Sequence, residues 1–146
     1  MSVQIRPLGK AMASLKGVLP AAFKAKIVSF NLHLSFEQFI ILKIALQHKG
    51  MVVQQDVASM MGKDKSVVMR IVDCLEKDGL IKRVVDANDR RRNMLEVTTA
   101  GLEMISRFDE VEMALSEEIM EGLTEQEIET FYKVIDRIVQ NGEKMI

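Results

Sequence analysis

The chain has 146 residues, 48% of them hydrophobic and 28% charged, with a formal net charge of −1. Such a composition builds one compact domain, or a small head plus helices that pack on a partner, and it argues against intrinsic disorder. A single cysteine, Cys74, excludes an intramolecular disulfide, and with 2 histidines there is no plausible zinc cluster.

Only 2 prolines and 8 glycines tilt the reading toward helix. From Gly9 to Phe30, Met12, Leu15, Leu19, Phe23 and Ile27 recur close to helical spacing. Pro20 falls inside this run and is expected to bend or interrupt it, since it lacks an amide and crowds the preceding turn. In "LSFEQFIILKIALQHKG", Ser35 with Gln38 is a capping-box pattern and Gly50 a stop, so Phe36 to Lys49 reads as a helix. A short extended piece, Met51 to Val53, leads into "QQDVASMMG", a two-turn helix ending at Gly62. In "KDKSVVMRIVDCLEKDG", Val68, Ile71, Val72 and Leu75 form one apolar face, and Gly79 ends the helix. A short helix, a tight glycine-containing turn and a second helix make a helix-turn-helix.

Leu80 to Val85 and Met94 to Thr98 are β-like runs around the polar turn "DANDRRRN". They predict a two-stranded hairpin, the wing of a winged helix. Thr98 is placed to N-cap a long helix over Thr99 to Glu121, with Leu102, Ile105, Phe108, Leu115 and Ile119 at helical spacing. Thr124 with Glu127 is a second capping box, opening a last helix that carries Ile128, Phe131, Ile135, Ile138 and Val139. A chain this short has too little else to cover the apolar faces of its terminal helices, which points to an intertwined homodimer. The expected fold is therefore mainly α: a winged helix-turn-helix with a two-stranded wing, flanked by N- and C-terminal dimerisation helices. It forms one domain over residues 1–146, with 35–101 as the winged helix and 1–34 and 102–146 as the dimerisation helices.

Charge is partitioned along the chain. Met1 to Leu34 hold Arg6, Lys10, Lys16, Lys24 and Lys26 and no acid, whereas Gly101 to Thr130 hold ten acids against Arg107 alone. A basic surface can thus exist on a nearly neutral protein. In a helix-turn-helix, the second helix lies in the major groove and its N-terminal residues reach bases and phosphates. Here those are Lys63, Lys65, Ser66, Val67, Met69 and Arg70. Lys65 and Ser66 lie in the first turn, where free amides attract phosphate, and Arg70 carries a fork suited to guanine or phosphate. Arg90, Arg91 and Arg92 stand at the hairpin tip, from which an arginine can enter the narrow minor groove. Asp86 and Asp89 could pair with these arginines across the turn and fix their direction. The alternative is a solvated surface with ion pairs worth roughly 0–1 kcal/mol.

Together these residues resemble the MarR family of transcriptional regulators. "LSFEQFIIL" looks like the family's L-T-x-x-Q-hydrophobic segment, and "QQDVASMMGKDKSVVMRIVDCLEKDGLIKR" is similar to its helix-turn-helix. "DANDRRRNMLEVTTAG" is similar to its D-x-x-D-R-R wing followed by L-T-x-x-G. The likeness runs from about Leu34 to Gly101. It implies a dimeric repressor that binds a pseudo-palindromic operator in double-stranded DNA, often released by a small aromatic ligand or an oxidant. It also implies that Lys65, Ser66 and Arg70 occupy the recognition-helix contact positions, and that Asp89, Arg90 and Arg91 match the wing motif. Two positions depart from the pattern: Met69 stands where a small hydroxyl residue is common, and Val97 where the motif usually has Leu.

Cys74 lies in the recognition helix, about 110° from the centre of its apolar face. It is either a redox-sensing thiol or a small residue at the edge of the core. His33 and His48 read as surface or helix-end residues, and the 11 methionines either line an adaptable pocket or pack the core. An effector is expected in the crevice between the first helix, the Phe36–Lys49 helix and the head. Without a nucleophile–base pair, a Gly-rich phosphate loop or metal spacing, no enzyme, cofactor or metal is expected. The alternative function is a winged-helix protein-interaction module that does not touch DNA. No uncharged stretch is long enough to span a bilayer, and Lys10, Lys16, Lys24 and Lys26 would interrupt the apolar core of a signal peptide, so a cytoplasmic protein is expected.

Overall fold

The computed structural model describes residues 7–146, so Arg6 lies outside the described residues. The elements run α1 (Leu8–Ser29), α2 (Phe36–Gln47), α3 (Gln54–Met61), α4 (Lys65–Lys77), β1 (Ile81–Val85), β2 (Asn93–Val97), α5 (Thr99–Ile119) and α6 (Glu125–Glu143). This is a mainly helical winged helix-turn-helix with a two-stranded antiparallel sheet. The chain forms two compact units, one ending at Glu112 and the other running from Met113 to Ile146.

In the first unit, α1 is a continuous 22-residue helix with Pro20 inside it, so of the expected bend or interruption the interruption does not occur. Pro20 removes one donor to the carbonyl of Lys16, but both residues are exposed, so water can satisfy that carbonyl. Phe23 and Ile27 are the buried residues of α1, while Met12, Leu15 and Leu19 are exposed. α2 begins with the expected reciprocal cap. Ser35 Oγ accepts the Gln38 amide at 3.2 Å, and Gln38 Oε1 accepts the Ser35 amide at 2.7 Å. Phe39, Ile41, Leu42 and Ala45 of α2 join Val57 of α3, Val68, Val72 and Leu75 of α4, and Ile105, Phe108 and Val111 of α5 in the core. Phe108 stacks on Phe39 with ring centroids 4.2 Å apart and touches Phe23 at 5.3 Å.

The wing grows out of this core. β1 and β2 pair antiparallel from Ile81↔Val97 to Val85↔Asn93. β2 starts and ends one residue earlier than its pattern suggests, because Thr98 leaves the strand to begin α5. The Thr98 hydroxyl donates to the Gly79 carbonyl at 2.6 Å and accepts the Gly101 amide at 3.1 Å. It thereby joins the end of α4 to the start of α5. The predicted extended piece becomes a third contributor to the sheet: Val53 bridges Met94, and the Leu95 amide donates to the Val52 carbonyl at 3.1 Å.

In the second unit the chain turns at Gly122, whose φ is +85°, and enters α6 through the second capping box. Thr124 Oγ1 accepts the Glu127 amide at 3.3 Å, and Glu127 Oε2 accepts the Thr124 amide at 2.8 Å. These bonds from Thr124, the backbone one foremost, hold the Glu127 carboxyl below its ordinary range. α6 buries none of its residues: Phe131, Tyr132, Val134, Ile138 and Val139 are all exposed.

Candidate nucleic-acid interface

The α3–α4 turn forms because Gly62 adopts φ +60°, which lets the Lys63 amide return to the Ala58 carbonyl at 3.1 Å. Asp64 then occupies the N-cap of α4 without making a side-chain cap, and no acid follows in the first turn. The Val67 amide returns to the Asp64 carbonyl at 3.1 Å, which leaves the Lys65 and Ser66 amides available, and the helix dipole adds a partial positive charge there. Lys65, Ser66, Met69 and Arg70 are all exposed. Ser66 and Arg70 lie opposite the buried Val68, and the Arg70 Nε donates to the Ser66 carbonyl at 3.4 Å. Lys63 reaches Glu37 on α2 at 3.9 Å, a loose pairing. Val67 is half-buried and lines a shallow depression with Ala58, Ser59 and Gly62, so it faces the α3 side instead of standing clear of the surface.

The wing tip is organised by the backbone. The Asp86 amide donates to the Arg92 carbonyl at 3.0 Å, and the Arg92 amide to the Asp89 carbonyl at 2.9 Å. The two aspartates do not hold arginine side chains as the sequence pattern suggests. Asp86 Oδ1 accepts the Asn88 amide at 2.8 Å, and Asp89 Oδ1 accepts the Arg91 amide at 3.0 Å. A short carboxylate finds a donor two residues on at little entropic cost, which a flexible arginine cannot match. Arg90, Arg91 and Arg92 are exposed and, among the described residues, enter no ion pair. The tip thus presents three guanidiniums on a backbone-braced turn.

One residue outside the sequence-predicted set connects the two basic elements. Arg83 on β1 binds Asp73 and Glu76 of α4 through its guanidinium. Its Nε donates to Gln54 Oε1 at the start of α3 at 3.1 Å, and its amide to Glu76 Oε1 at 3.1 Å. Burial works to lower the Arg83 pKa, but the hydrogen bonds and charges of Asp73 and Glu76 together outweigh it and raise it. Two acids three residues apart on α4, followed by an arginine in the next strand, were the available signal.

Cys74 is exposed on α4 and His48 ends α2, its Nδ1 lying 2.9 Å from the Ile44 carbonyl. His33 is exposed. No group of histidine, cysteine, aspartate or glutamate among the described residues could hold a metal ion, and no described helix is long and apolar enough to cross a membrane. At the expected effector crevice, Phe23, Phe36, Phe39 and Phe108 form an aromatic cluster in which Phe36 meets Phe23 edge-on at 5.1 Å and is itself exposed. Lys43 lies over the Phe39 ring at 5.3 Å and pairs with Asp109 at 2.6 Å.

Residues 34–92 match the model of the MarR family. The fold is similar to that of wild-type MarR from E. coli in its apo form: TM-score 0.80, 19% identity, 92% of this chain and 98% of that one. It is also similar to CouR from Rhodococcus jostii RHA1 bound to p-coumaroyl-CoA, with TM-score 0.69, 24% identity and 90% of each chain covered. A third similar structure is a mutant MepR from S. aureus bound to an oligodeoxyribonucleotide, with TM-score 0.62, 20% identity, 94% of this chain and 99% of that one.

Proposed function

We propose that the protein, whose residues 34–92 match the MarR-family model, is a homodimeric, sequence-specific DNA-binding regulator that represses transcription from a pseudo-palindromic operator. The observation that carries this reading is the presence, in one compact unit, of an α4 N-terminus with no side-chain cap and no acid in its first turn, and of a wing turn whose three arginines enter no ion pair among the described residues. α4 enters the major groove, with Lys65 and Ser66 on phosphate and Arg70 on a base edge or phosphate. Lys63 adds charge at the rim, and Arg90 or Arg91 enters the flanking minor groove with Arg92 on the backbone. The dimer is supported by the exposed apolar residues of α1 (Met12, Leu15, Leu19) and of α6 (Phe131, Val134, Ile138), which need a cover in water.

Release by a small aromatic ligand is the second part of the reading. The exposed Phe36 at the edge of the aromatic cluster suits an aromatic ring, and the similar CouR is bound to p-coumaroyl-CoA. An oxidant would act instead through the exposed Cys74. The protein would work in the cytoplasm, where its DNA is.

Selection of bound duplexes from a random pool tests the reading. An inverted repeat with half-sites about one helical turn apart is expected. A pool that enriches no motif contradicts it and favours the protein-interaction module.

A further inference from the structure

α4 buries Val68, Val72 and Leu75. At about 100° per residue, Ser66 and Arg70 fall on the opposite side, with Met69 beside them. Met69 is 49% exposed, and its neighbours Lys65, Ser66, Arg70 and Asp73 are exposed too. About half of this long thioether side chain is thus left in water among polar residues, an apolar surface that the free protein does not cover. Val67, the other apolar residue of this stretch, is partly covered in the depression beside α3 and is not offered in the same way.

The surroundings say what Met69 meets. Lys65 stands one turn before it and Arg70 immediately after it, while the carboxylate of Asp73 one turn later is bound by Arg83, so the charge left around the apolar group is cationic and fits a polyanion. In the major groove of duplex DNA, the apolar group exposed at the base edges is the 5-methyl of thymine. Arg70 is anchored by its Nε to the Ser66 carbonyl at 3.4 Å, which leaves its two terminal nitrogens for the groove. Residues 69 and 70 are about 1.5 Å apart along the helix axis but project about 100° apart around it, so their side chains reach different base pairs of one half-site.

We propose that Met69 is a specificity residue that reads thymine, each operator half-site presenting the methyl of one T·A pair to its side chain beside the contact made by Arg70. This rests on the regulator reading above and adds the base that the recognition helix selects.

The test uses the duplex obtained by selection. Its thymines are replaced one at a time by deoxyuridine, which removes only the methyl group, and binding is measured at fixed salt. One thymine position per half-site is expected to weaken binding by the parent protein about two- to fourfold when demethylated, the size set by one methyl leaving an apolar contact. Met69→Ala should bind the thymine and uracil forms of that position equally, whereas Met69→Leu and Arg70→Ala should keep the preference. A parent protein indifferent to uracil at every position, or a Met69→Ala variant that keeps the preference, overturns the assignment while leaving the regulator reading intact. A selection that enriches no sequence overturns both.

Discussion

Arg83 on β1 clasps Asp73 on α4: its Nη2 donates to Asp73 Oδ1, while Nη1 donates to Glu76 Oε2 one turn away on the same helix. The strand that carries the wing is thereby fixed to the helix that carries Lys65, Ser66 and Arg70. With an Arg83 side chain 20% exposed, these bonds are shielded from solvent more than ordinary surface pairs are.

Replacing Arg83 by Met keeps most of the volume but leaves Gln54, Asp73 and Glu76 without their shared donor. Urea unfolding should show a loss of about 1.5–3 kcal/mol, the range for hydrogen bonds to a charged group. Asp73 is 60% exposed, so Asp73→Asn should cost less, about 0.5–1 kcal/mol. Equal costs for the two variants would contradict the arrangement.

Gly101 is required by space and not by backbone conformation. A Cβ there would lie 2.1 Å from the Leu80 carbonyl oxygen and 2.7 Å from Val97 Cγ1. Gly101→Ala must push α5 away from the root of the wing and should destabilise the fold by about 2–3 kcal/mol. Gly142→Ala is the control, because a Cβ at that helical site meets nothing within 4 Å; it should be neutral or stabilise by up to about 1 kcal/mol. Thermal melts of the two variants separate these outcomes.

The start of α6 should respond to acid. The Glu127 carboxyl is held below its ordinary range by the Thr124 amide and hydroxyl. A lowered folded-state pKa gives a contribution that is complete above the unfolded value and is lost as pH falls through the folded one. Amide protection at the first turn of α6 should therefore fall on acidification below the usual glutamate range. In Glu127→Gln, which can still accept the Thr124 amide, that pH dependence should flatten. An unchanged profile would show that the cap does not hold the helix end.

Much of the fold was legible because its signals are local. Both capping boxes, the left-handed turns at Gly62 and Gly79, and the apolar stripe of Val68, Val72 and Leu75 each depend on residues within a few positions of one another. The misreadings have equally physical causes. Pro20 does not interrupt α1, where the freed Lys16 carbonyl is open to water, and exposure is not written in the spacing. Asp86 and Asp89 prefer a backbone amide two residues on to a mobile guanidinium. The Arg83 clasp brings in Gln54 from 29 positions away, a pairing that only the packing of α3 against the sheet reveals. Of the candidate interface, the elements that carry Lys65, Ser66, Arg70 and the wing arginines were readable, whereas the half-burial of Val67 and the backbone bracing of the wing were not.

The wing arginines give a prediction in numbers. Arg90 and Arg91 are exposed on a braced turn, so replacing both by Ala should leave the unfolding free energy within about 0.5 kcal/mol of the parent.

Titrating the selected duplex with the parent protein and with Arg90→Ala/Arg91→Ala across a series of salt concentrations shows whether the wing holds DNA. The parent should bind at physiological salt with Kd of about 10⁻⁸ to 10⁻¹¹ M. The double variant should bind more weakly, with the slope of log K against log salt reduced by about 1 for each phosphate that is no longer neutralised. Identical affinities and slopes for the two proteins would contradict the wing's role, and a parent that binds selected and random duplexes equally would contradict the regulator itself.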